Sequence, residues 1–411
     1  MIKIKKYNPL ALYLLSIVIV QIGTIVRLQL DNQIIGNSLR ILGVLILFIS
    51  LLKQVSITRI IKLGFCMKFL LIWNTFNILF TLITEGISLT RSFGEESYLL
   101  AYLLPYILLY DVFAVNLKKI FKYSVVFAIF ALILVALNYE YLILANNSYY
   151  IMNAIENDLV SGSLAQIPIM WSIPASIVFM NMNFADKKYV IISFIACSFA
   201  IAFSMAFGRR GTSLYGTLFL LSGFWVYIRN TQYKLSHRII VTIVVLVALL
   251  SCVYFVVNHF SYLVQRGFED TRSSVNEAFF NDLNNWDLIV GRGLNGTYYD
   301  PMNIFDNINN QRPDHETGLL NIILHAGFLF LIPYLLICAR SIYLGYFKSN
   351  NSLLKSFSVY ILINTLMLFV GSYPAFNLRF FILWIGVLLC NNKIIRRMNN
   401  DDIANNFIYI K

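Results

Sequence analysis

Two short stretches of this chain carry side chains suited to holding a phosphate and moving a proton. The first is Gly208-Arg209-Arg210-Gly211, a brief break between two apolar runs. Two adjacent cations at a membrane boundary are expensive. Each guanidinium also offers a planar fork of donors that matches phosphate oxygens. A helix beginning directly after them would add amide N–H groups that favour the same anion. This reads as a phosphate clamp at headgroup depth, against the plainer reading of a tight turn with snorkelling arginines. The second stretch is Asp314-His315-Glu316, which follows Pro313 just where a new apolar run starts. A helix N-terminus pushes an imidazole toward its neutral form, which suits a general base, with Asp314 placed to orient it or compete with it. Both belong with a polar interval from Asn258 to Gly327 that opens on His259 and holds Arg266, Arg272, Trp286 and the run Gly291-Arg292-Gly293-Leu294-Asn295-Gly296.

These groups need a scaffold, and the composition says which kind. Hydrophobic residues make up 59% of the 411 positions and charged residues 13%, with a mean hydropathy of +0.71. Soluble domains carry about 25% charged residues. The apolar residues also fall in blocks near the roughly 20-residue length that crosses a hydrocarbon core, without the every-second-residue alternation of a barrel. The expectation is an all-α polytopic membrane protein, a single membrane domain over 1–411. Twelve spans are expected: Leu10–Val26, Ile34–Leu52, Phe65–Thr84, Tyr98–Val115, Phe121–Leu137, Leu164–Asn181, Tyr189–Phe207, Thr212–Ile228, Ile239–Val257, Gly318–Tyr346, Leu353–Val370 and Phe376–Cys390. The residues 258–316 then form a large external loop between spans nine and ten.

The net charge of +12 follows from topology rather than nucleic-acid binding, because no contiguous basic face exists and cytoplasmic loops collect Lys and Arg. Sorting alternate loops by charge puts both termini in the cytoplasm. It also puts every Lys on that side and leaves only arginines outside: Arg27, Arg40, Arg91, Arg209, Arg210, Arg266, Arg272, Arg292, Arg312 and Arg379. Topology predicts few outer cations but does not predict that all should be Arg. Pairing with outer acids such as Glu85, Glu95, Glu269 and Asp282 is the competing use for them. The N-terminal Lys3, Lys5 and Lys6 precede an apolar run with no small-residue cleavage site, which reads as an uncleaved first helix.

Within the long loop, Val275, Ala278, Phe279, Leu283 and Trp286 recur at helical spacing, an amphipathic helix lying on the membrane or on the bundle. The glycines at 291, 293 and 296 permit tight turns. Among the other histidines, His325 lies within an apolar run and reads as packing, His237 is on the cytoplasmic side, and His259 is left undecided. The five cysteines lie in or beside apolar runs with no metal-ligand spacing, so they read as packing residues. No metal or cofactor is implied.

Four elements together give a family resemblance: Arg210-Gly211 at the mouth of two helices, Arg272 early in the loop, Trp286 to Gly296 (WDLIVGRGLNG), and His315-Glu316 leading to Gly327. On these the chain resembles the O-antigen polymerase and O-antigen ligase superfamily (Wzy and WaaL types), over roughly residues 204–336. The family's spacing from its His to a Gly is eleven residues. Here Gly327 is eleven from Glu316 and twelve from His315, so either can hold the catalytic position.

The resemblance implies a metal-independent, GT-C-like glycosyltransferase of the bacterial inner membrane. Its donor would be an undecaprenyl-pyrophosphate-linked oligosaccharide. His315 or Glu316 would be the base, and Arg209, Arg210, Arg266 and Arg272 would stabilise the pyrophosphate leaving group. Trp286, Arg292 and Tyr298 are candidate glycan contacts. Polymerisation of repeat units is the preferred activity, with transfer to lipid A core (ligase) as the alternative and a flippase for the same lipid as the alternative of another class. The lipid bilayer, a chain-length regulator and a flippase of the same pathway are the expected partners.

Overall fold

The computed structural model describes residues 8–29, 32–54, 60–61, 63–84, 98–137, 171–206, 210–229, 272–301, 310–371 and 374–408, with residues 236, 239, 243 and 254. The described chain is mostly helical. Its principal helices are α1 (Pro9–Gln29), α2 (Gln33–Gln54), α3 (Phe65–Thr84), α4 (Leu117–Leu137), α5 (Lys187–Ala206), α6 (Arg210–Arg229), α7 (Ser273–Asp282), α8 (Asn285–Val290), α9 (Gly318–Phe347), α10 (Ser352–Met367) and α11 (Leu378–Asn391). Two short strands, β1 (Tyr298–Tyr299) and β2 (Gln311–Arg312), pair antiparallel with Tyr298 opposite Arg312.

Four helical stretches among the described residues are long and apolar enough to cross a membrane: Pro9–Arg27, Gln33–Lys53, Phe65–Thr84 and Gly318–Phe347. This is the composition of an all-α membrane protein. The expected fourth span, Tyr98–Val115, is not a continuous α-helix. It has one α-turn at Tyr98–Ala101, then 3-10 turns at Leu104–Leu109 and Val112–Ala114. Pro105 at the start of the first 3-10 turn lacks the N–H a regular helix needs. The segment is buried in protein at Leu100, Leu104, Ile107 and Leu108, where irregular backbone is tolerated. Pro174 has the same effect in the expected sixth span, whose described part is a 3-10 turn at Ile173–Ala175 followed by Ser176–Met180. Of the expected ninth span only Ile239, Ile243 and Tyr254 are described, and the first part of the long loop lies outside the described residues.

The chain divides into two compact units, Met1–Ile120 with Thr271–Lys411, and Phe121–Asp270. In the second unit, α5 and α6 form a hairpin in which the missing side chain of Gly216 admits Ile201. In the first unit, α1 and α2 pack with their backbones close: a Cβ on Gly23 would lie 2.8 Å from the Gly36 carbonyl oxygen. Small residues at a helix crossing permit this approach where lipid supplies no hydrophobic drive.

Most of the site's support comes from α3 and α9. α9 is two helical runs joined at a break at Gly327, which has φ 69°. A break in an apolar helix frees carbonyls, and each must find a donor. Trp73 Nε1 of α3 donates to the Ala326 carbonyl at 2.9 Å and Asn77 Nδ2 to the His325 carbonyl at 2.8 Å. The Arg292 backbone N–H donates to the Leu324 carbonyl at 2.7 Å. The Leu294 N–H donates to Thr81 Oγ1 of α3 at 2.9 Å. The Gly-Arg-Gly-Leu run therefore plugs the break in α9. Gly291, at φ 85°, is required there because a Cβ would stand 2.6 Å from the Ala326 nitrogen.

Candidate functional site

The described part of the long loop is a folded cap on the start of α9. Its inner face is the apolar stripe of α7: Val275 and Phe279 are buried, with Leu283 just beyond. The expected amphipathic helix exists over Ser273–Asp282 with its apolar face on protein, but it ends before Trp286, which lies on the separate helix α8 and is exposed. Phe279 meets Tyr298 edge-on at 5.3 Å and His315 at 5.0 Å between ring centroids. α8 begins in a capping box, with the Asn284 side chain and Asp287 each accepting the other's backbone N–H.

Arg292 ties the cap together. Its guanidinium donates to the Asp282 and Asp287 carboxylates and to the Thr297 and Asp282 carbonyls. All five of its donors are used within the protein, so this side chain acts as a clasp between α7, α8 and β1. Tyr298 is fully buried, and burial pushes its phenol up, keeping it protonated. Trp286 is 73% exposed.

His315 and Glu316 share one turn but differ in surroundings. The His315 backbone N–H donates to Asn321 Oδ1 at 3.0 Å, and the Thr317 N–H donates to His315 Nδ1 at 3.0 Å. An Nδ1 that accepts places the proton of the neutral ring on Nε2. That nitrogen is buried without a protein partner. Burial, then the nearby Arg312 charge, lowers the His315 pKa to about 4, partly opposed by Glu316. A ring with its basic nitrogen engaged and this low pKa is a poor proton acceptor near neutrality. Glu316 is exposed at the surface. Its Oε1 is 3.0 Å from Arg312 Nη2 and its Oε2 is 3.4 Å from Arg272 Nε.

Both arginines are held from behind. Arg312 donates to the buried carboxylate of Asp300 at 3.0 Å. Arg272 donates to the Val370 carbonyl at 2.6 Å. The turn before α9 is fixed by Tyr98, which donates to Asp314 and accepts from Asn321 Nδ2.

The structure thus brings together Arg272, His315 and Glu316 from the sequence-derived set. Arg210 is the first residue of α6, in the other unit. Arg209 and Arg266 lie outside the described residues. Arg312, Asp300, Tyr98 and Asn321 complete the site and were not singled out from sequence. Arg312 had a signal, since it lies four residues before Glu316, the spacing of an ion pair in a turn. Tyr98, more than two hundred residues away, had none.

The His315 ring gives a direct test. Its folded pKa lies below the unfolded value, so the unfolded chain binds more protons between about 6.5 and about 4. The stability it contributes is complete above pH 6.5 and is lost as the pH falls toward 4. Wild-type protein in detergent is expected to lose melting temperature across that window more steeply than His315→Asn, whose amide oxygen still accepts from Thr317. Equal slopes would remove His315 as the titrating group.

Fold and site together define an all-α membrane protein in which a folded cap on the start of α9 presents an arginine-flanked carboxylate. Compared with known proteins, the chain matches no family model, no curated protein and no solved structure.

Proposed function

We propose that the protein is a membrane glycosyltransferase that polymerises undecaprenyl-pyrophosphate-linked oligosaccharide repeats. The observation that carries this reading is Glu316, an exposed carboxylate held between two guanidiniums at the start of α9. A diphosphate arriving at Arg272 and Arg312 competes for the same donors and releases the carboxylate from them. The freed carboxylate accepts the proton of an acceptor sugar hydroxyl. The hydroxyl oxygen then forms a bond to the anomeric carbon as the bond from that carbon to the pyrophosphate breaks, with inversion. Arginines stabilise the charge that develops on the departing lipid pyrophosphate. Of the two bases left open by the sequence, the hydrogen bonding of His315 favours Glu316. Arg209, Arg210 and Arg266 stay in the proposal as further phosphate ligands on the resemblance alone.

The test is purified protein in proteoliposomes supplied with lipid-linked repeats and no other protein. A ladder of longer lipid-linked chains is the expected product. Chains that stay one repeat long would overturn the polymerase reading. Transfer to added lipid A core would favour the ligase. Movement of unextended lipid between leaflets would favour the flippase.

A further inference from the structure

We propose that the Gly291–Leu294 loop is re-entrant, seated below the membrane surface, and that the exposed face of α8, Trp286 with Ile289, lies in bilayer lipid at the hydrocarbon boundary. The depth follows from α3 and α9. The start of α3 meets α9 at Arg340, seven residues before that helix ends: Arg340 Nη1 lies 3.5 Å from where a Cβ on Gly64 would stand, and Lys68 sits in the first turn of α3. Charged residues on both helices at that shared level mark one boundary of the apolar layer. Thirteen residues separate Arg340 from Gly327, and thirteen separate Lys68 from Thr81. At 1.5 Å per residue each interval rises about 20 Å. A hydrocarbon core is about 30 Å thick, so Gly327 and Thr81 both lie about 10 Å inside the opposite boundary.

Those two positions receive the loop. Gly291 packs on the α9 backbone at His325–Gly327, and Leu294 donates to Thr81. Non-helical backbone survives at such depth only where protein covers it. Gly293 and Leu294 are buried, and the Gly293 carbonyl faces His325 Nδ1 at 3.1 Å.

α8 runs straight into this loop, and the Ile289 carbonyl lies against Gly327. Trp286 precedes Val290 by four residues, which places it up to about 6 Å further out, near the boundary itself. Trp286 is 73% and Ile289 41% exposed. They are three apart and share a helix face. Phe328, next to Gly327 on α9, is exposed as well, so this apolar surface continues onto the helix the loop enters. An indole is favoured at that boundary, where its ring meets acyl chains and its N–H meets water.

Tryptophan fluorescence of wild type and Trp286→Phe in bilayers tests this, since the difference between them isolates one of five tryptophans. Trp286 is a surface residue, so the variant should melt as wild type does. The difference signal is expected to be quenched more strongly by lipids brominated near the top of the acyl chain than by aqueous iodide. Stronger quenching by iodide would place Trp286 in water and overturn the proposal, returning the residue to the role of a sugar contact. The measurement needs no glycan substrate, so it stands whether or not the proposed activity is found.

Discussion

Glu316→Gln is expected to lower glycosyl transfer by about 10²–10⁴-fold, the usual contribution of a general base, while the melting temperature stays close to wild type. The amide keeps the shape of the side chain and one acceptor for a flanking arginine, but it cannot take up a proton. Glu316 is 42% exposed and its partner Arg272 40%, so that ion pair is screened by solvent, while Arg312, 20% exposed, keeps its Asp300 partner when Glu316 is changed. Exposed pairs contribute about 0–1 kcal/mol each, and removing them should leave the fold intact. His315→Asn is the matched comparison. It too removes a group able to take a proton, yet it preserves the acceptor for the Thr317 N–H and should retain most activity. Steady-state rates on lipid-linked repeats, read beside thermal melts of the same preparations, separate the two residues. A fully active Glu316→Gln would exclude Glu316 as the base, and an inactive His315→Asn with active Glu316→Gln would reverse the assignment.

The largest expected loss of stability comes from Gly327→Ala. At φ 69° the backbone occupies a region that costs an L-residue roughly 1–3 kcal/mol. The added methyl would also overlap the Ile289 carbonyl group and the Val290 carbonyl carbon. Backbone cannot step aside as the end of a flexible side chain can, so the loop would have to leave the break. The Leu324 carbonyl would then lose its Arg292 donor, and the Leu294 N–H its Thr81 acceptor. Overpacking of this kind adds typically 1–3 kcal/mol to the strain, and folded protein is expected to fall sharply in membranes. Gly64→Ala is the control, because a Cβ there meets only Arg340 Nη1 at 3.5 Å, an ordinary contact. Folded yield by size-exclusion chromatography in detergent compares the two. Equal yields would mean that α9 does not depend on its break.

Membrane character was legible in the sequence because transfer from water to lipid sums over residues, whatever their partners. The amphipathic spacing of α7 was legible for a similar reason, since the period of a helix is local. Only the tertiary structure decided how Tyr98–Val115 runs, because Pro105 and burial against other helices together replace a regular span with 3-10 turns. The sequence also left His315 and Glu316 equivalent, two neighbouring groups able to take a proton. What separates them is a backbone N–H on one ring nitrogen and two guanidiniums on one carboxylate. Arg272 reaches Glu316 across more than forty residues of chain. Such contacts between residues distant in the chain leave no periodicity or composition for a sequence to display.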